Sequence, residues 1–372
     1  MSGPAPHPAP PHHGTFAFLI HPLRIDDFAR RYPITRRLPA PVVERIFRWI
    51  PPRLVSHITG IRSATGATAE GWFIGLPLTP QILLNAPLSF VYRRLIQSGR
   101  MAEEQGAKIF GLGAFTKIVG DRGMTVANNL RIAVTTGNSY TAATAVEGAL
   151  LAAERMRIDP ANATAAVIGA TGAIGAVCSD VLARAVGRLL VVARTRENLE
   201  ALAARLASRG QASVVPETDV RRAVRASDIV LTVSSATDTL IEPEDLRPGS
   251  VVCDVARPRN VSRLVYEKRD DVLVIDGGVI EVPGEVDFGF DFGFPPRMCE
   301  ACMAETIILA LEGRYENFTL GKDISLAHVE EISALARQHG FRLAGFRRFE
   351  RAIGDDEVER IRTAAARRRA TA

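Results

Sequence analysis

Two hydrophobic rhythms divide the chain. From residue 164 onward, short unbroken apolar runs alternate with stretches that are apolar at every third or fourth position. The unbroken runs predict strands over 164–168, 188–193, 212–215, 229–234, 250–254 and 272–276, and the periodic stretches predict helices over 173–186, 196–208 and 219–225. Strands without polar alternation are buried on both faces, so the series predicts an α/β fold built on a Rossmann-type, doubly wound parallel sheet. Further helices are predicted over 297–311, where Gly313 is a natural stop, and over 326–338, opening a C-terminal helical segment.

Residues 15–135 keep no single rhythm. Helical stretches over 42–49 and 88–105 alternate with short segments such as 70–74, broken at Pro51-Pro52 and over 77–80. We read this part as an N-terminal α/β substrate domain. The Gly111-Leu-Gly-Ala-Phe-Thr116 run predicts a loop whose backbone approaches another element closely. In Thr135-Thr-Gly-Asn-Ser-Tyr-Thr141, Asn138 or Ser139 is placed to cap a helix running to about residue 156.

Composition adds little and excludes more. The chain has 372 residues, with 46 Lys and Arg against 41 Asp and Glu, a formal charge of +5. Nine arginines and five acidic residues from Arg342 onward supply +4 of that (9 − 5), so no broad nucleic-acid-binding face is expected. This basic C-terminus is suited to an acidic partner or to peripheral contact with an anionic membrane. Residues 1–14 are rich in Pro and His and read as a disordered tail in which His7, His12 and His13 are solvated. With no secretion signal and no unbroken apolar stretch long enough to cross a bilayer, a cytoplasmic protein with four reduced cysteines is expected.

The strand at 164–168 runs into Gly169-Ala-Thr-Gly-Ala-Ile-Gly175 and then a helix. Glycines there allow a tight turn, close approach to a pyrophosphate and close helix–strand packing, while the helix start offers amide donors; Gly169, Thr171, Gly172, Ala173, Ile174 and Gly175 are the candidate contacts. After the next strand, a carboxylate would hold the ribose hydroxyls of NAD, but this chain has Ala193-Arg194-Thr195-Arg196. Arg194 and Arg196 suit a 2′-phosphate, so the cofactor is read as NADPH. Ser234 follows the fourth strand on the nicotinamide side of the switch point. The chain is thus divided into the tail (1–14), the substrate domain (15–135), an NADPH-binding Rossmann domain (136–295) and a C-terminal helical region (296–372).

Cys299-Glu-Ala-Cys302 has CxxC spacing. A zinc site would need two more ligands, and Cys178 and Cys253 lack ligand spacing, so no metal is assigned. A redox pair, one nucleophilic thiol at a helix start, and two small core residues all remain open readings of the motif.

Taken together, Gly113-Ala-Phe-Thr116, Thr135-Thr-Gly-Asn138, Val167-Ile-Gly-Ala-Thr-Gly-Ala-Ile-Gly175, Asp276-Gly-Gly-Val279, Ala301-Cys302-Met-Ala-Glu305, Leu311-Glu-Gly313 and His339-Gly-Phe341 resemble the cyanobacterial long-chain acyl-(acyl-carrier-protein) reductases. Before Gly111 the resemblance is loose, mainly Ser63-Ala-Thr-Gly66. It implies NADPH-dependent conversion of a fatty acyl thioester to a fatty aldehyde, with Cys302 forming the acyl-enzyme, Gly277 and Gly278 near the cofactor, and acyl carrier protein and an aldehyde-consuming enzyme as partners. Where the family has His in its TTGNxHTA segment, this chain has Tyr140, which with Asn138 completes the candidate catalytic set. A phenol donates a proton but is a poor base at neutral pH. The phenylalanines of 288–294 are candidate linings for an acyl chain, or simply cover the core. Alternative readings are an NADP-dependent dehydrogenase of a small hydroxy or keto acid, laid out like a shikimate dehydrogenase, and a non-catalytic NADPH-sensing acyl-binding protein.

Overall fold

The computed structural model describes residues 12–28, 32–236, 238–256, 259–322, 324–348 and 351–371. The N-terminal part contains β1 (His13–Ile20), β2 (Arg53–Arg62), β3 (Thr68–Gly75), helix α1 (Leu88–Glu104), β4 (Ile109–Leu112) and β5 (Ala133–Thr135). Helix α2 (Asn138–Arg155) leads into β6 (Thr164–Ile168), α3 (Ala173–Leu182), β7 (Arg188–Val192), α4 (Arg196–Ala207), β8 (Ser213–Glu217), β9 (Ile229–Thr232), β10 (Val251–Asp254) and β11 (Leu273–Asp276). The chain ends with β12 (Val279–Glu281), β13 (Gly284–Asp287), β14 (Met298–Glu300), α5 (Ala301–Glu312), α6 (Leu326–His339) and α7 (Asp355–Thr371), with short strands between the last two helices.

The second half forms one six-stranded sheet in the order β11-β10-β9-β6-β7-β8, every pair parallel. This is the doubly wound order, and its reversal point lies between β6 and β9. The apolar runs of β6, β9 and β10 are buried on both faces because helices cover both.

The first half forms another six-stranded sheet, in the order β13-β2-β3-β1-β4-β5. β3, β1, β4 and β5 are parallel, while β2 and β13 run antiparallel to their neighbours. Thus the chain, after completing the second sheet, returns to the first: β13 extends its edge and α5 packs into its core beside Phe16, Phe18 and Ile109. That return is invisible to periodicity, which sees only neighbours in sequence.

Three local expectations change. His13 and Gly14, placed in the tail, open β1, and His12 Nε2 lies 3.1 Å from the Ala310 carbonyl; His7 lies outside the described residues. Residues 298–300 are a strand, not the first turn of a helix, because their backbone pairs with β12. Neither Asn138 nor Ser139 caps α2: Gly137, in left-handed conformation at φ +69°, occupies that position.

α2 joins the two halves. Its Ala142, Ala145, Ala149 and Ala152 are fully buried against the second sheet, the small side chains allowing close approach. Cys178 and Cys253 both aim thiols at its carbonyls, those of Ala142 at 3.8 Å and Ala145 at 3.5 Å, as small core residues do.

Candidate active site

The glycine loop has the geometry its spacing implies. Gly169 takes φ +88°, and a β-carbon there would lie 2.9 Å from the Ser234 Cα, so Ser234 backs directly onto the loop at the reversal point. A β-carbon on Gly175 would lie 2.2 Å from the Gly169 carbonyl oxygen, so only glycine permits this helix to start so close to its strand. No side chain caps α3, whose first amides are left for a ligand. These features fit a dinucleotide pyrophosphate. At the end of β7, Arg194 is exposed, whereas Arg196 pairs with Glu200 at 2.9 Å.

Cys302 sits in the first turn of α5, buried between the ends of the two sheets. On one side is the end of β5: a β-carbon on Gly137 would fall 2.2 Å from the Cys302 Cα. On the other is the end of β11, where the Gly278 carbonyl accepts the amide of Ala301 at 2.8 Å. Gly277 and Gly278 therefore tie the Rossmann sheet to the start of the Cys302 helix. A β-carbon on Gly277 would lie 3.0 Å from Cys253 Sγ.

Burial pushes the Cys302 thiol up to about 12. The strongest opposing influence is the Lys117 ammonium; Glu300, whose Oε2 is 3.7 Å from the sulfur, and Glu305 push it further up. Lys117 is the residue sequence reasoning missed. It ends the 3-10 turn Ala114–Lys117 that follows β4, held by the Thr116 hydroxyl donating to the Gly113 carbonyl at 2.7 Å, with Ala114 at φ +42°. The predicted loop at 111–116 is thus half strand and half turn. Its close approach is to α5, since a β-carbon on Gly111 would lie 2.2 Å from Thr306 Oγ1.

Glu305, one turn beyond Cys302, is fully buried. It accepts the Thr135 hydroxyl at 2.5 Å and the Tyr140 amide at 2.8 Å. Burial raises its carboxyl pKa, while these donors, the Thr319 side chain and Lys117 lower it. Its place within Ala301-Cys302-Met-Ala-Glu305 was the available signal. Asn138 is buried with Oδ1 lacking a hydrogen-bond partner among the described residues, an acceptor set aside inside the site.

Tyr140 is brought into the same apolar cluster as Cys302, and after burial the groups that act on its phenol are Glu147, Cys299 and Arg337. Burial raises its pKa strongly, which disfavours any role as a base. Cys299 is fully buried in β14, and burial holds its thiol well above the ordinary range, ahead of the influence of Cys302. The loop Asp287-Phe-Gly-Phe-Asp-Phe-Gly-Phe294 packs onto this cluster: Phe292 meets Phe73 and Phe288 edge-on at 5.0 and 4.9 Å. Asp287 and Asp291 each accept the amide two residues on, making two successive turns. Among the described residues no cluster of His, Cys, Asp and Glu could hold a metal ion, and no helix is long and apolar enough to cross a membrane.

A doubly wound parallel sheet with a glycine loop at its reversal point, facing a second α/β unit, defines a nicotinamide-dependent oxidoreductase. The shikimate/quinate 5-dehydrogenase family model matches residues 151–276, which span the Rossmann sheet and stop before Cys302. The chain is 31% identical over 306 residues to the long-chain acyl-(acyl-carrier-protein) reductase of Synechococcus elongatus, covering 78% of this chain and 87% of that one. The chain belongs to that family. It is also 34% identical over 284 residues to the aminotransferase PigE of a Serratia species, covering 76% of this chain but 33% of that much longer protein. Among solved structures, quinate dehydrogenase from Corynebacterium glutamicum in complex with NAD aligns with a TM-score of 0.38 at 13% identity, over 87% of this chain and 99% of that one.

Proposed function

We propose that the protein reduces a long-chain fatty acyl thioester, carried by acyl carrier protein or coenzyme A, to the fatty aldehyde through an acyl-Cys302 enzyme, using NADPH. The observation that carries this reading is the position of Cys302: a thiol at a helix start, near the Lys117 ammonium, with Gly137 of one sheet against its Cα and its neighbour Ala301 bonded to Gly278 at the end of the other. A helix N-terminus and a nearby cation both favour the thiolate.

Cys302 Sγ attacks the acyl carbonyl; the new C–S bond forms as the bond to the carrier sulfur breaks, and the Cys302 proton ends on the released carrier thiol. Lys117 stabilises the sulfur anion as it forms, and the side-chain amide of Asn138 steadies the carbonyl oxygen. NADPH, when bound, supplies the hydride. Arg194 would hold the 2′-phosphate, and the amides of Ala173, Ile174 and Gly175 would hold the pyrophosphate, since the Gly172 amide already donates to the Gly169 carbonyl. Collapse of the reduced hemithioacetal anion frees the aldehyde and leaves the Cys302 thiolate, and one proton taken from solvent per turnover restores the thiol. Burial of the site excludes water that would otherwise hydrolyse the acyl-enzyme. Tyr140 packs beside this chemistry and is not its base. The aromatic loop 287–294 shields the apolar side and lines the path of the acyl chain. An aldehyde-consuming enzyme is the natural receiver of the product.

The test is to supply a palmitoyl thioester with NADPH, follow the nicotinamide absorbance and identify the aldehyde. Mass spectrometry without cofactor is expected to find the acyl adduct on Cys302. Full thioester reduction by Cys302→Ala sinks the covalent route.

A further inference from the structure

Residues 25–28 and 32–50 stand apart from the main cores. Phe28, Val43 and Phe47 form a separate small cluster with Ile25 and Ile50, the rings of Phe28 and Phe47 tilted against each other with centroids 4.0 Å apart. The helix Ala40–Phe47 turns Val43 and Phe47 inward and leaves Val42 and Ile46, one turn apart, exposed. Around them Ile34 (61% exposed), Leu38 and Trp49 (73% exposed) also face solvent. Among the described residues, two polar links fix the lobe to the body. The Thr79 hydroxyl donates to Glu44 at 2.7 Å, and the Arg94 guanidinium donates to the carbonyls of Arg48 and Trp49.

The charge around this apolar surface is predominantly positive: of its acids, Asp26 pairs with Arg24 and Asp27 accepts the amides of Leu23 and Arg24. Residues 33–54 contain Arg36, Arg37, Arg45, Arg48 and Arg53 against Glu44 alone, a net +4 (5 − 1), and Glu44 is the residue engaged by Thr79. The other basic candidate, the C-terminal helix, spends several arginines internally: Arg368 pairs with Asp270 and Asp271, Arg369 donates to the Pro248 carbonyl, and Arg362 pairs with Glu359.

We infer that the 33–54 lobe seats the protein on an anionic lipid surface, with Ile34, Val42, Ile46 and Trp49 entering the headgroup–acyl boundary and the arginines meeting lipid phosphates. Aliphatic side chains, an amphipathic indole and clustered arginines on one exposed lobe are the combination that a charged headgroup layer over acyl chains satisfies at once. The occupant is identified by that charge complementarity, independently of the chemistry at Cys302. The surface would let an enzyme of long apolar chains work beside the phase that dissolves them.

The test uses the full chain with phosphatidylcholine vesicles, with and without phosphatidylglycerol. Co-sedimentation with the anionic vesicles is expected, weakened by salt, together with a blue shift of tryptophan emission that Trp49→Ser removes. Ile46→Ser/Trp49→Ser should lower vesicle affinity about tenfold or more, since each withdraws a large apolar side chain from the interface. Arg36→Gln/Arg37→Gln/Arg45→Gln should lower it by about fivefold per charge. All these positions are exposed, so the variants are expected to keep the wild-type thermal melt. Undiminished vesicle binding by the Ile46/Trp49 variant, or equal binding to neutral vesicles, overturns the inference. So does a wild-type protein that ignores vesicles and instead loses affinity for purified acyl carrier protein when these residues change.

Discussion

The carboxylate of Glu305 accepts the backbone amide of Tyr140 at 2.8 Å, joining the Cys302 helix to the first turn of α2. Since the Thr135 hydroxyl donates to the other oxygen, one buried side chain fixes β5, α2 and α5 relative to one another. Glu305→Ala leaves two buried donors without an acceptor and a cavity besides, so a loss of about 3 kcal/mol or more is expected in chemical denaturation. Glu305→Gln keeps an acceptor for one donor and should lose less. A wild-type melt for the alanine variant would show that this link is not structural.

Lys117 should govern the reactivity of Cys302. With its ammonium removed, the thiol, already pushed up to about 12 by burial, titrates still higher. Lys117→Met is therefore expected to slow alkylation of Cys302 by an uncharged reagent at neutral pH by about tenfold or more, and to move the rate profile toward alkaline pH. An unchanged profile would remove Lys117 from the reading.

Arg194→Asp should exchange the preference between cofactors. A charge-assisted contact to a 2′-phosphate is worth about 1.5–3 kcal/mol, so NADPH affinity should fall at least tenfold while NADH affinity holds or rises. Isothermal titration with both nucleotides decides it, independently of any substrate.

His21 should make the fold acid-sensitive. Its Nε2 accepts the Phe115 amide at 3.2 Å, bracing the turn that aims Lys117, and burial lowers its pKa from 6.5 to about 4. The folded state thus takes up this proton later than the unfolded chain does. The stabilisation is whole above about pH 6.5 and is lost as pH falls toward 4, with a slope of up to ~1.4 kcal/mol per pH unit. Melting temperature against pH should drop more steeply over that window for the wild type than for His21→Gln. Parallel curves would refute the assignment.

Much of the second half was readable in the sequence because its elements form from neighbours. Unbroken apolar strands, helices of regular period and Gly169, Gly172 and Gly175 at the first crossover specify a doubly wound sheet locally, and the strand boundaries at 164–168 and helix start at 173 are where the pattern put them. The first half was less legible. Its sheet mixes parallel and antiparallel strands and borrows β13 from far along the chain, so no segment carries the whole pattern. Lys117 was missed for a related reason: beside Gly113-Ala-Phe-Thr116 it looks like an ordinary surface lysine, and only the turn at Ala114 directs it inward.

Sequence by itself determined the Rossmann sheet, the glycine loop with its backbone demands, the absence of a carboxylate after β7, and the motif that contains Cys302. Those follow from period, glycine spacing and residue type, which act over a few residues. Only the tertiary structure decided that Gly137 packs on Cys302 while Gly278 binds the neighbouring Ala301, that Glu305 binds Thr135 and Tyr140, and that the phenol of Tyr140 is buried near Cys299 and Glu147. Each of these joins residues from distant parts of the chain. Their thiol, carboxyl and phenol pKa values are set by burial and by neighbours that meet only once both sheets have closed around α5.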